Sequence, residues 1–359
     1  MAQSAPPETW TPPTTPPPST GTTSSASGSM GRRGGGGVAT ALAAVAIVLA
    51  LVALAVNFVV PGPTGSQGAT GQTSGDYWAV VNGTGSLVHG SGVASASRTA
   101  EGVYQVKFSE DVANCAYLAS GGIAGSIGNP TSVIGAVESV SGDSDAVQVS
   151  FSLTTTLLAN NSGFSVVAIC GSSPWAVVGS NGALDRGSDV VSSTSASTGL
   201  YHVVFNQNVE NCSYLATATA TGTGAPIGLV SVSGMGSSPD GVNVSTWNDV
   251  AGTAVAAAVP FQLAVLCSGN WAVVTVPASM ARGTASGVSE LGAATQVDFP
   301  NYAWNCAVVG TLGTNNTTAP PAGEFTFAGR NAQPDAFYIV TSTADAIATA
   351  EPFHIGEFC

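Results

Sequence analysis

Trp78-Ala79-Val80-Val81 recurs as Trp175-Ala176-Val177-Val178 and again as Trp271-Ala272-Val273-Val274, and two cysteines follow each occurrence. Recurrence at a near-constant interval marks a repeated structural unit. Aligned on these tryptophans, the copies agree well beyond the motif. A polar-then-glycine turn comes next, at His89-Gly90, Arg186-Gly187 and Arg282-Gly283. His89, Arg186 and Arg282 differ in type, which suits a turn facing solvent. Tyr104 to Phe108 is matched by Tyr201 to Phe205 and, less closely, by Thr295 to Phe299. Apolar residues alternate there as on a strand with one buried face. The first cysteine follows in Asn114-Cys115, Asn211-Cys212 and Asn305-Cys306, and the last strand of each copy runs into Cys170, Cys267 or Cys359.

Many short strands separated by Gly, Pro, Asn and Ser turns, with no helical period, describe an all-β chain. The expected fold is three tandem antiparallel β-sandwich repeats, immunoglobulin-like or small barrels, at 76–172, 173–268 and 269–359. In antibody domains the tryptophan falls between the cysteines, whereas here it precedes both. Trp78, Trp175 and Trp271, with Phe108, Phe205 and Phe299, are expected in the repeat cores. An exposed sugar-stacking platform is the alternative for the tryptophans. Two cysteines per copy, separated by 55, 55 and 53 residues, point to the pairs Cys115–Cys170, Cys212–Cys267 and Cys306–Cys359. Six reduced core thiols are the alternative. Closing such a loop stabilises a small domain by about 4 kcal/mol on the chain-entropy estimate. Very short connections, such as Cys170 to Trp175, predict a stiff, elongated array.

Ahead of the repeats stand three segments of other character. Residues 1–37 are rich in Pro, Ser and Thr, with too little apolar surface to fold, and are expected to be a disordered cytoplasmic tail. Val38 to Val60 carries no charge, and as a helix it is long enough to cross a hydrocarbon core of about 30 Å. Arg32 and Arg33 lie just before it, so the positive-inside rule puts the N-terminus in the cytoplasm and the repeats outside, in contact with the bilayer through 38–60. The rival reading is a signal peptide cleaved after Ala53-Leu54-Ala55. Residues 61–75 form a Gly-rich linker with Gly62, Gly65, Gly68 and Gly71 in triplet spacing. That spacing admits a short collagen-like stretch and a homotrimer, or a flexible spacer.

The formal net charge is −13, and Glu8 is the sole acidic residue before the apolar run. Repeats this acidic repel phosphate backbones, so nucleic acid is not a partner. The three histidines are not repeated between copies, and no Cys-x-x-Cys pair occurs. The reading therefore includes no catalytic triad, metal or cofactor. Asp145, Asp240 and Asp335 align before a strand and suit turn capping, with Asp143 and Asp145 as an alternative calcium site. The third copy diverges most, and Trp304, Glu324, Arg330 and Asp335 are the candidate ligand surface.

The pattern of anchor, Gly-x-y stretch and WAVV…RG…YxVxF…NCxY…FxxxxxC repeats resembles that of uncharacterised actinobacterial membrane-anchored surface proteins. The resemblance covers residues 62–359 and implies an extracytoplasmic, β-rich protein, with no activity attached. The expected function is a non-enzymatic structural or adhesive surface protein whose ligand is an extracellular protein or glycan. An extracytoplasmic enzyme or enzyme inhibitor using the loops of one repeat, or a phage-derived receptor-binding module, is the alternative.

Overall fold

The computed structural model describes residues 75–359 apart from Ser172, 221–227, Ala251, 301–304, 318–321 and 331–332. The tail at 1–37, the apolar run at 38–60, nearly all of the linker, and Trp304 lie outside the described residues. Within them every regular element is a β-strand, and no helix is long and apolar enough to cross a membrane.

Repeat one supplies β1 (Tyr77–Val81), β2 (Leu87–Ser91), β3 (Val93–Ala100), β4 (Val103–Phe108), β5 (Ala116–Ile127), β6 (Val133–Val140), β7 (Asp143–Leu153) and β8 (Gly163–Ile169). Repeat two supplies β9 (Trp175–Val178), β10 (Leu184–Ser188), β11 (Val190–Ser197), β12 (Leu200–Phe205), β13 (Ser213–Thr219), β14 (Gly228–Gly234), β15 (Gly241–Val250), β16 (Thr253–Ala256) and β17 (Phe261–Leu266). Repeat three supplies β18 (Asn270–Thr275), β19 (Ser279–Gly283), β20 (Gly287–Leu291), β21 (Ala294–Asp298), β22 (Ala307–Gly313), β23 (Gly323–Arg330), β24 (Gln333–Thr343) and β25 (Phe353–Phe358). The expected alternation is clearest in β4 and β12, where Tyr104, Val106 and Phe108, and Tyr201, Val203 and Phe205, point inward. The hairpins entering these two strands turn on Gly102 and Gly199, with φ of +66° and +72°. A Cβ at either position would meet a backbone oxygen at 2.5 Å, so only glycine fits.

Within each repeat two layers of four strands pack face to face, and in repeat two β16 adds a further strand on β15. In repeat one, β2-β1-β8-β5 packs over β6-β7-β4-β3 around Tyr104, Phe108, Tyr117, Phe151 and Phe164. The layers do not end at the repeat boundary, however. The first layer of repeat one continues into β23-β24-β21-β20 of repeat three, and that of repeat two into β6-β7-β4-β3 of repeat one. The first layer of repeat three in turn continues into the second layer of repeat two. Pairing inside each repeat is antiparallel, but the three joins, β5 with β23, β13 with β6 and β22 with β14, are parallel. The sheets are therefore mixed, which corrects the purely antiparallel expectation. Three equivalent joins close a ring, and the elongated array is not what forms.

The Trp-Ala-Val-Val strands show the consequence. Ala79 and Val81 face the core of repeat one, while Trp78 and Val80 face a central core shared with Trp175, Val177, Trp271 and Val273. Leu118, Leu215, Leu266 and Phe358 complete that core. A strand buried on both faces carries no alternation, which is why all four residues are apolar. The tryptophans thus lie between the repeats rather than at the end of one sandwich. Phe108, Phe205 and Phe299 are fully buried in their own repeats.

Disulfides join Cys115 to Cys170, Cys212 to Cys267 and Cys306 to Cys359, with Cα separations of 4.6, 4.5 and 4.5 Å. Each staples the start of one strand to the end of its antiparallel neighbour within a single layer, as β5 to β8. Bridges in antibody domains instead cross between sheets.

Because the central core belongs to all three repeats, Trp175→Ala should destabilise the whole molecule by about 3–5 kcal/mol. Calorimetry should show one transition shifted as a unit. A mutant that melts one repeat while the other two keep their original midpoint would contradict the shared core.

Candidate functional site: the seams and the ring interior

The polar chemistry of the molecule is concentrated where repeats meet. A hydroxyl at one aligned position in each fifth strand, Ser120, Thr217 and Thr311, reaches a neighbouring repeat. Each accepts the N–H and donates to the C=O of a single residue: Ser120 with Gly310 at 3.0 and 3.2 Å, Thr217 with Ala119 at 3.0 and 3.3 Å, Thr311 with Ala216 at 2.7 and 2.9 Å. Buried backbone groups that cannot reach water need such partners. A second aligned position, Ser165, Gln262 and His354, accepts the N–H of Val308, Tyr117 and Tyr214 respectively.

His354 is fully buried. Its Nδ1 accepts from the Tyr214 amide at 2.9 Å, its Nε2 lies 3.2 Å from the Thr314 carbonyl, and its ring stacks on Tyr214 at 5.0 Å. This arrangement needs the neutral ring with the proton on Nε2. Burial, with the Arg282 charge nearby, pushes its pKa down to about 3.

The two arginines among the aligned turn residues are seam clamps, which corrects their reading as solvent-facing. Arg186 of repeat two donates through Nε and Nη2 to the Cys115 carbonyl at 3.2 and 3.1 Å, and its guanidinium covers Tyr117. Arg282 of repeat three does the same to the Cys212 carbonyl, over Tyr214. At the third seam His89 stands in place of arginine and Val308 in place of tyrosine, so clamp and platform are missing together.

Glu324 occupies the register position of Ile134 and Leu229, as the three parallel joins define it. That face of the strand points away from its own repeat. On an isolated sandwich it would meet solvent, but in the ring it is interior. Glu324 is 4% exposed, so it does not belong to a ligand surface. It lines a cavity of about 60 Å³ built from matching stretches of all three repeats. Neither carboxylate oxygen has a hydrogen-bond partner at normal geometry. Burial raises its pKa to about 8, with the Asp249 charge acting in the same direction and the hydroxyls of Thr154, Ser342 and Ser132 opposing it. Asp249 is also buried, and its carboxyl is pushed up by desolvation although it accepts from the Gly252 amide.

The other members of the expected surface are not gathered with it. Arg330 closes β23 in register with Gln333. Asp335 is exposed at the start of β24, where its carbonyl accepts from the Phe299 amide. Asp143 and Asp145 are engaged by Lys107 at 3.0 and 3.2 Å, which takes the place of the considered calcium ion. A surface groove of about 350 Å³, unforeseen in the sequence, lies between repeats two and three, lined by Glu210, Tyr214, Met235, Pro239, Asn315 and Thr317.

The chain matches no protein-family model, no curated protein and no solved structure.

Two measurements follow from this geometry. Arg186→Ala and Arg282→Ala should each cost about 1–3 kcal/mol in urea unfolding, and His89→Ala less than about 0.5 kcal/mol. An equal loss at all three positions would remove the clamp from the account. The second measurement concerns pH. Glu324 keeps its proton when folded but loses it when unfolded between pH 4.5 and about 8, so its contribution to stability falls as pH rises through that window. His354 stays neutral when folded while the unfolded chain takes up a proton below pH 6.5, so stability also falls toward about pH 3. Stability should therefore peak between pH 4.5 and 6.5. Glu324→Leu should flatten the alkaline side, and His354→Gln, which keeps the acceptor as Gln262 does, the acid side. A profile unchanged in both variants would refute these assignments.

Proposed function

We propose that the chain is an extracytoplasmic surface protein, held in the cell membrane by residues 38–60, whose ring of three repeats serves as a structural or adhesive head. The observation that carries this reading is the set of three disulfides in an all-β body. Such bridges persist in oxidising compartments and suit modules with modest cores. The sequence resemblance to actinobacterial surface proteins supports the same location.

The head is proposed to be complete in one chain. Three repeats occupy the places that three subunits would take in a cyclic trimer, so the Gly-x-y segment is better read as a spacer than as a trimerising stalk. The groove between repeats two and three is where an extracellular glycan or protein segment would sit, because its size falls within the usual range for ligand clefts.

Protease shaving of intact cells, with the full-length protein followed by antibody to the repeats, should remove the head. Light scattering in detergent should give the mass of one chain once the micelle is subtracted. A glycan and extracellular-protein array should show binding that Asn315→Ala weakens. A head protected from protease until the cells are lysed would refute the location, and a trimeric mass would refute the one-chain head. Binding undiminished by Asn315→Ala would move the ligand site elsewhere.

A further inference from the structure

We propose that the end of the ring opposite the disulfides is a docking surface for a neutral lipid bilayer, entered by Leu158, Val255 and Ile347. Each stands six residues before the first phenylalanine of its repeat's last strand, Phe164, Phe261 or Phe353. The residue after each, Ala159, Ala256 or Ala348, bridges back to Ser152, Trp247 or Ser342, so the three hold one position in three equivalent turns. All three are large, aliphatic and exposed, at 65, 53 and 59%. The turns gather around the axis of the ring. Leu157 and Ala254 pack against the cluster of Ile134, Leu229 and Ala344, and a Cβ on Gly252 would lie 3.2 Å from the Asp345 Cα. The chain enters the ring at the other end, where Asp76 accepts from the Cys170 and Gly171 amides, and it finishes there at Cys359.

A single exposed aliphatic side chain is ordinary, but one at the same place in three diverged copies marks a contact surface. Its chemistry identifies the occupant. Protein interfaces rely on Tyr, Trp and Arg anchors, and none of these occurs in the turns at 153–159, 248–256 and 343–348. Asp345 is the exposed charge of the three turns, since Asp249 is buried. A second copy of the chain fits poorly. It would bring together two bodies of net charge −13 over three side chains, far short of the roughly 1,200 Å² that a stable interface buries. Equivalent positions around one axis are level with one another, so all three side chains meet a planar surface together. Aliphatic groups need no specific partner at the acyl boundary of a bilayer. The acidity of the chain selects neutral head groups over anionic ones.

The inference rests on the proposed anchor only for the hold of residues 38–60 on the protein's own vesicles. Full-length protein is reconstituted into sucrose-loaded phosphatidylcholine vesicles, dye-labelled phosphatidylcholine vesicles without protein are added, and the dense vesicles are pelleted. Dye should pellet with the protein, and less of it when the added vesicles contain phosphatidylserine. Combining Leu158→Ser, Val255→Ser and Ile347→Ser should lower dye capture by about tenfold or more, with the unfolding midpoint unchanged. Should the triple variant fail to fold, Ile347→Ser alone should lower capture severalfold. Protein that pellets without dye, or equal capture by a folded variant, overturns the inference and leaves the anchor standing. Dye captured only when the added vesicles also carry the protein overturns it in favour of a second copy. Protein that stays in the supernatant overturns both readings, whereas wild type that pellets where the triple variant does not keeps the docking surface and removes the anchor.

Discussion

The free backbone edge of the fifth strand in each repeat is the constraint on which this architecture depends. β5, β13 and β22 each hydrogen-bond on one side to the last strand of their own repeat, and on the other side they present unpaired N–H and C=O groups. An open edge of that kind must be covered or paired. Here the sixth strand of another repeat pairs it over part of its length, and side chains such as Thr217, Gln262 and His354 satisfy the rest. Because each repeat offers both an edge and a strand to cover one, the interaction propagates from copy to copy. With three copies it returns to the first, and no fifth strand is left uncovered.

Closure creates an interior that no single repeat possesses. The disulfide end is apolar, with the three tryptophans, Leu118, Leu215 and Phe358 in contact. Next to it the Ser120, Thr217 and Thr311 hydroxyls bind backbone across the seams, and beyond them lie the cavity and Glu324. This order explains the different burdens on the two faces of the Trp-Ala-Val-Val strand. Small Ala79, Ala176 and Ala272 pack within repeats already filled by tyrosine and phenylalanine, whereas the bulky tryptophans fill the wider space between them.

Much of this was legible in the sequence within one repeat and little of it between repeats. The strands, the inward Tyr and Phe, and the cysteine pairs all follow from spacing and period. A period-two pattern reports which face of a strand is buried, but it does not say whose strand lies at its edge. Short connections such as Cys170 to Trp175 fit a line or a ring equally well. Two local signs are consistent with the ring: four consecutive apolar residues in Trp-Ala-Val-Val, with no solvent-facing member, and a hydroxyl at the same place in all three fifth strands. Glu324 stands out in the sequence as part of a polar group in the third copy, and the register shows that Ile134 and Leu229 are its counterparts. The strand face it occupies would be a surface if the repeat stood alone, and the sequence of one repeat carries no sign that another covers it.

A cyclic trimer of identical subunits must make every substitution three times, once at each seam. A glutamate at the position of Glu324 would then bring three carboxylates to one axis, where like charges desolvated together raise one another's pKa and oppose assembly. Joining the copies in one chain lifts that restriction. Repeat three carries Glu324 opposite Ile134 and Leu229, and His354 opposite Ser165 and Gln262, while the seam to repeat one dispenses with its arginine clamp. The divergence of the third copy is therefore better understood as the freedom of a closed ring to specialise one sector than as the capping of an open array. Chemistry is to be sought where the three sectors differ around a common axis.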